Sequence, residues 1–287
     1  MNKFQKISVI IPAYNEGRII GNIVKSLKVI REVDEIIVID DCSDDFTAKA
    51  ASNAGAKVIS HPYNKGNGAS IKTGLRNAKN EIIVLMDGDG QHDPVYIKDG
   101  LKMMDRYDMV IGTRDAGSEA NRQRRFGNWL LKKFASYLSG YKIKDLTSGF
   151  RLAKKDVLKE FIHLFPNRYS YPTTSTLALL KAGYNVGFFP IKTNKRIGKS
   201  KLKPFRNGIK FIVIILRIST LFNPMKVFFP LSLIPMTCGI GYGIYAIIDH
   251  MKLPNTAVLL IFLGVIIFMM GLISEQISAL RFEKGER

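Results

Sequence analysis

Two long apolar runs near the C-terminus constrain this chain more than any other feature. Val227–Ile248 carries no charged residue, and Thr256–Ile273 repeats the pattern after a short polar turn, Asp249–Asn255, that contains Pro254. As a helix the first run is about 33 Å long at ~1.5 Å per residue, which matches a bilayer core of roughly 30 Å. The second run keeps its character toward Leu280. Two spans joined by a tight turn make a hairpin with both ends on one side. Lys210, Arg217 and Lys226 precede it, and Arg281, Lys284 and Arg287 follow it. The positive-inside rule then puts both ends, and the domain before them, in the cytoplasm. The expectation is a multi-pass protein of the cytoplasmic membrane with spans at about 227–248 and 256–280. Pro230, Pro235 and the glycines of the first run agree with it, since such residues are commoner in membrane helices than in soluble ones. The competing fold buries both runs as core helices of a larger soluble domain.

Residues 1–204 read as one α/β domain. Ile7–Ile11, Glu35–Ile39, Lys57–Ser60, Glu81–Met86 and Asp108–Gly112 are short, mostly apolar and β-branched, as buried parallel strands are. Helical patterns separate them, the first with apolar residues at Ile19, Ile20, Ile23, Val24 and Leu27. Strand–helix alternation at this spacing predicts a mostly parallel sheet with helices on both faces. Ligands of such sheets bind beyond the carboxyl ends of the strands, where Asp41, Asp87 and Asp89 fall. Between domain and hairpin, 205–226 reads as an amphipathic juxtamembrane helix. Arg206, Lys210 and Arg217 share one face and Phe211, Ile212, Ile215, Ile218 and Leu221 cover much of the rest, the pattern of a helix lying in the membrane interface.

The formal net charge is +19. A charge of that size fits nucleic acid, an anionic membrane or phosphorylated substrates. No basic recognition helix, zinc-ligand spacing or aromatic strand motif is present, so nucleic acid is not expected as a partner. Cys42 and Cys238 lie in unlike contexts and no disulfide is expected, in keeping with a reducing compartment. Met1–Lys6 lacks an apolar stretch with a cleavage site, so no signal peptide is expected.

Asp87-Gly88-Asp89-Gly90-Gln91 directly follows a buried strand. Two carboxylates one residue apart at a strand end can approach one hard cation. Mg²⁺ or Mn²⁺ prefers such oxygen ligands and bridges to substrate phosphates; Gln91 can add an amide oxygen. The cation would screen the charge that builds on a departing nucleoside diphosphate. Pro12-Ala13-Tyr14-Asn15-Glu16 and Ile39-Asp40-Asp41-Cys42-Ser43 lie on the same sheet edge. A carboxylate there can accept a nucleobase N–H and a tyrosine can stack on the base, although Asp40-Asp41 alone also reads as a helix cap. Arg114, Arg125 and Arg151 offer guanidinium forks for phosphate oxygens.

Taken together these segments resemble glycosyltransferase family 2 with a GT-A fold, and within it the dolichyl-phosphate mannosyltransferase and polyprenyl-phosphate glycosyltransferase group. The resemblance implies that Pro12, Tyr14 and Glu16 begin the nucleotide site, that Ile39 and Asp41 contact the base, and that Asp87, Asp89 and Gln91 form the metal-binding D-x-D-x-Q. It also implies that Arg114 of Gly112-Thr113-Arg114, and Arg125 ahead of Asn128, serve phosphates. Asp145–Arg151 resembles an acceptor-side D-x-x-S-G-F-R. Gly198-Lys199-Ser200-Lys201 resembles a loop over the donor diphosphate, with Lys199 and Lys201 as its cations. Two positions depart from the pattern. Gly88 stands where relatives often carry alanine, and Asn67 where many carry lysine. The implied activity is transfer of a sugar from a nucleotide-sugar donor, GDP-mannose or a UDP-hexose, to a polyprenyl phosphate, with inversion. A lipid phosphate is already anionic and needs positioning more than a base. A glycan hydroxyl acceptor would need one, and Asp145 is the candidate. A third reading keeps the fold as a non-catalytic membrane scaffold. The hairpin is also a candidate surface for homo-oligomers. Of the histidines, His61 reads as a turn residue and His92 as packing beside the metal loop.

Overall fold

The fold was obtained as a computed structural model that describes residues 6–114, 122–168, 171–193, 220, 223–250 and 253–283. The chain divides into two compact units, the second formed by Tyr137–Gly140 and Gly208–Arg287.

The first unit is built on a seven-stranded sheet: β1 (Ile7–Ala13), β2 (Val33–Asp40), β3 (Lys57–Ser60), β4 (Ile82–Leu85), β5 (Met109–Arg114), β6 (Arg151–Lys154) and β7 (Val186–Ile191). Their spatial order is β3-β2-β1-β4-β6-β5-β7. All neighbours are parallel except β6, which runs antiparallel to both β4 and β5. The five strands read from the sequence are present, and β6 and β7 are additional. Helices α1 (Gly17–Lys28), α2 (Thr47–Asn53), α3 (Asn67–Asn77), α4 (Ile97–Met103), α5 (Arg122–Ser139), α6 (Lys155–Glu160) and α7 (Tyr171–Lys181) connect them.

Strand periodicity sorts the apolar residues into two layers. Val9, Ile11, Val38 and Val84 face one side and pack with Ile20, Val24 and Leu27 of α1. Ile10, Ile37, Ile39, Ile83 and Leu85 alternate with them and are equally buried, and Gly74 of α3 lies against Ile10 on that side. Each such side chain contributes roughly 1.5–3 kcal/mol on burial. A sheet covered on both faces leaves only its strand ends for ligands. The register aligns Ala13 with Asp40 and Ile10 with Leu85, so the turns after β1, β2 and β4 emerge along one edge.

In the second unit, α8 (Met225–His250) and α9 (Asn255–Glu283) form the hairpin. Only 22% of the first span and 17% of the second is buried by protein. A pair of core helices in a soluble domain would be mostly covered, so that competing fold is set aside. The expected spans, 227–248 and 256–280, fall inside α8 and α9. Close approach replaces large side chains where the two helices touch: a Cβ on Gly239 would lie 2.8 Å from the Ala257 carbonyl oxygen, and one on Gly264 would lie 2.2 Å from Met236 Cγ. Small residues serve membrane helix pairs this way. Hydroxyls inside the candidate spans bond back to their own helix, as Ser232 does to the Phe229 carbonyl and Thr237 to the Leu233 carbonyl, which is how a polar group in an apolar surround is satisfied. At the base of α8, Tyr137 Oη donates to the Lys226 carbonyl and Lys226 Nζ to the Tyr137 carbonyl. Most of the expected juxtamembrane helix, 205–226, lies outside the described residues.

Candidate active site

The nucleotide-side turns are laced together by backbone donors. Asn15 N–H donates to Ser43 Oγ at 2.9 Å, Glu16 N–H to Thr47 Oγ1 at 2.9 Å and Gly17 N–H to Asp45 Oδ2 at 3.1 Å. Thr47 N–H also donates to Asp45. Burial alone would raise the Asp45 carboxyl, but the Thr47 hydroxyl and these N–H donors outweigh it and bring the group below the usual carboxylate range. The motif Ser43-Asp44-Asp45-Phe46-Thr47 therefore fixes the Tyr14–Gly17 turn. Pro12, Tyr14 and Glu16 are half-buried at this edge.

Asp41 is 4% exposed and its carboxylate is densely used. Oδ1 accepts from Lys65 N–H at 2.9 Å and meets His61 Nδ1 at 2.7 Å, while Oδ2 accepts from Gly66 N–H at 2.7 Å. His61 Nε2 lies 2.9 Å from Thr73 Oγ1 of α3. His61 is thus a buried link between Asp41 and α3 rather than a turn residue. Asp41 also holds the Lys65–Gly66 turn. Ile39 is fully buried among the sheet residues, so any contact it makes with a base falls to its backbone. The start of α3 is also occupied. Gly68 and Ala69 N–H groups donate to the Arg168 and Asn167 carbonyls, so these donors are not offered to a phosphate.

The acidic tip follows β4. Asp87 is one-third exposed and its Oδ2 lies 3.7 Å from His92 Nε2. Its surroundings raise the carboxyl through burial, but His92, then the Asn67 side chain and the charge of Arg114, bring it below the usual range. Asn67, the departure from the lysine pattern, thus supports Asp87. His92 packs on Phe150 with ring centroids 5.6 Å apart, as expected, and its buried Nδ1 has no partner among the described residues. Asp89 is buried, and its Oδ1 accepts from Gln91 N–H at 3.1 Å. The tight turn needs Gly90, whose φ is +74° and whose added Cβ would lie 2.2 Å from Ile19 Cδ1. A Cβ on Gly88 would meet the Pro12 carbonyl oxygen at 3.0 Å, so alanine there demands only a small shift.

The acceptor-side motif closes the edge. Asp145 accepts from Arg114 Nε at 3.0 Å and Nη2 at 3.2 Å, and from Thr147 and Ser148 N–H at 2.9 and 3.1 Å. Arg114 Nη2 also reaches the Thr147 hydroxyl. Burial pushes the Asp145 carboxyl up, but the bidentate guanidinium and the N–H donors bring it below the usual range. A carboxylate so saturated is a poor proton acceptor. Arg151 is engaged within the fold. It is 0% exposed and donates to the Ser148 carbonyl, Ser175 Oγ, Thr176 Oγ1 and the Leu146 carbonyl at 2.8, 3.0, 2.8 and 3.1 Å. Burial brings it down to about 10, with Tyr171 and the charges of Asp145 and Asp87 acting the other way. These four bonds tie the Leu146–Ser148 loop to α7. Arg125 lies on α5, but its side chain is outside the described residues, as are Lys199 and Lys201.

Among the described residues, no group of three or more His, Cys, Asp or Glu side chains gathers as a closed metal cage would require. What the edge offers is two carboxylates and the Gln91 amide. That set fits a hard cation that takes the rest of its shell from phosphate oxygens; it does not fit a structural zinc.

Comparison with known proteins gives the family. The model of glycosyl transferase family 2 matches residues 8–162. The chain belongs to glycosyl transferase family 2. It is a glycosyltransferase with a GT-A sheet, and the GtrB C-terminal hairpin model matches residues 223–280, covering both candidate membrane spans. A dolichyl-phosphate hexose transferase of Haloferax volcanii is 29% identical over 71% of this chain and 90% of that one. A UDP-N-acetylglucosamine–dolichyl-phosphate N-acetylglucosaminyltransferase of Methanococcus voltae is 33% identical over 65% of this chain and 85% of its own. Glucosyl-3-phosphoglycerate synthase of Mycobacterium tuberculosis, solved with Mn²⁺ and UDP-glucose, superposes with a TM-score of 0.61 at 21% identity, over 75% of this chain and 78% of that one. At that identity it shows the shared fold alone.

Proposed function

We propose that the protein transfers one sugar from a nucleoside-diphosphate donor to the phosphate of a polyprenyl phosphate, dolichyl or undecaprenyl, at the cytoplasmic face of the membrane. The observation that carries this reading is the state of Asp145. The one carboxylate on the acceptor-side motif is locked by Arg114 and two backbone donors, so an acceptor that arrives already ionised suits the site better than a hydroxyl. The acceptors named for the two archaeal relatives and the apolar hairpin support it.

Asp87, Asp89 and Gln91 would hold Mg²⁺ or Mn²⁺, as Mn²⁺ accompanies UDP-glucose in the structural neighbour. Such a cation supplies charge neutralisation on the leaving diphosphate. The chain's own groups do the rest. Tyr14 and Glu16 bound the base side, and Asp41 accepts from the base. Arg114, anchored by Asp145, offers its charge toward the phosphates. Arg125, Lys199 and Lys201 keep their assignment to phosphates as part of this proposal. Direct attack by the lipid phosphate in a single displacement inverts the anomeric carbon, whether the sugar comes from GDP-mannose or a UDP-hexose.

The test offers labelled nucleotide sugars, Mn²⁺ and either polyprenyl phosphate or the matching polyprenol to the full chain in detergent. Label in a solvent-extractable, mild-acid-labile lipid with the phosphate alone is the expected result. Equal transfer to the polyprenol, or transfer only to a water-soluble glycan, rejects the reading.

A further inference from the structure

We propose that Gly149 is the positioning residue for Asp87, so that the segment Asp145–Arg151 sets cation affinity and does not act on the acceptor alone. The inference rests on Asp87 as a cation ligand. An ideal Cβ on Gly149 would lie 2.1 Å from Asp87 Oδ2, 2.5 Å from Cγ and 2.7 Å from Oδ1. The entire carboxylate occupies the place where any other residue would carry its side chain. Gly149 is not among the positive-φ residues, so the requirement is for space and not for a left-handed backbone.

The register explains why the two meet. β4 and β6 are antiparallel with Leu85 opposite Arg151. Two residues beyond Leu85 is Asp87, and two before Arg151 is Gly149. The β6 side of this seat is immobilised. Arg151 holds the Ser148 carbonyl next to it, Ser148 is fully buried with its hydroxyl accepting from Phe150 N–H, and Asp145 is fixed to Arg114. Asp87 is therefore held by a backbone floor as well as by His92 at its side. Outer groups that orient ligands change metal affinity by about 10–100-fold when altered.

Gly149→Ala, Asp87→Ala and the double variant of the full chain in detergent test this. Two readouts are taken: thermal unfolding without metal, and Mn²⁺ binding by electron paramagnetic resonance in the presence of nucleoside diphosphate. Gly149→Ala is expected to lower the unfolding midpoint in the Asp87 background and much less in the Asp87→Ala background, a coupling that residues in contact show and independent sites lack. It is also expected to weaken Mn²⁺ binding by about tenfold or more. Should Gly149→Ala not fold, recovery of folding in the double variant supports the seat, and failure of both overturns it. Equal destabilisation in the two backgrounds, or wild-type Mn²⁺ binding by a folded Gly149→Ala, overturns it too. Undiminished Mn²⁺ binding by Asp87→Ala rejects the metal role, while the stability cycle still decides whether Gly149 seats Asp87.

Discussion

Replacing Arg151 by lysine separates a buried tie from a phosphate-binding arginine. The guanidinium donates four hydrogen bonds to neutral oxygens on two segments of chain. A lysine ammonium issues its three donors from one point, and its reach allows two of the four acceptors at most. Two bonds to a charged donor are then lost, each worth ~1.5 kcal/mol or somewhat more, so the loss is about 3 kcal/mol. For a catalytic domain of this size each kcal/mol lowers the unfolding midpoint by ~2–4 °C, which gives a fall of roughly 6–12 °C. The assay is a thermal melt in detergent followed by initial rates at varied lipid phosphate. The expected pattern is the lower midpoint, a reduced kcat and an unchanged KM for the lipid phosphate. An unchanged midpoint with a KM raised by about tenfold would return Arg151 to the substrate and refute the assignment.

Asp145→Asn is expected to lower activity far less than the ~100- to 10,000-fold that removal of a general base produces, with the pH–rate profile keeping its shape. His61→Ala removes a partner from Asp41 and from Thr73; a donor KM raised several-fold and a loss of ~1–3 kcal/mol in chemical denaturation are expected. Acid titration of stability is set by carboxyls whose folded pKa is depressed. Asp34, beside Lys79, Asn80 and Lys6, is lowered to about 2, and Asp45, Asp108 and Asp145 shift the same way. Such groups stabilise the fold above their unfolded value of ~3.9 and lose that contribution as pH falls through the folded value. Circular dichroism should therefore show unfolding set in below about pH 4, steepening toward pH 2. Gly90→Ala is expected to destabilise through both its positive φ and the Ile19 contact, read as a lower midpoint with Mn²⁺ binding weakened.

The sequence exposed the parallel half of the sheet because β1, β2 and β4 are buried on both faces and read as unbroken apolar runs. β6 was hidden: Arg151-Leu152-Ala153-Lys154 is four residues with a cation at each end. β7 was hidden by Gly187 and Pro190, which a central strand would not tolerate but an edge strand does. The acidic tip was legible because its order along the chain is its chemistry. The partners of single side chains were not. Nothing local distinguishes an arginine aimed at phosphate from Arg151, whose acceptors on α7 lie more than twenty residues away. His61 likewise gains its meaning from Asp41 and Thr73. Gly149 shows its role only once antiparallel register sets it opposite Asp87.

The central claim is that a lipid phosphate oxygen takes the sugar. A ³¹P spectrum of the lipid extracted after a single preparative reaction tests it most directly. The expected result is conversion of the phosphomonoester signal into a glycosyl phosphodiester, matched one for one by released nucleoside diphosphate and abolished by Asp89→Ala. Sugar transferred while the phosphomonoester signal stays intact would contradict it.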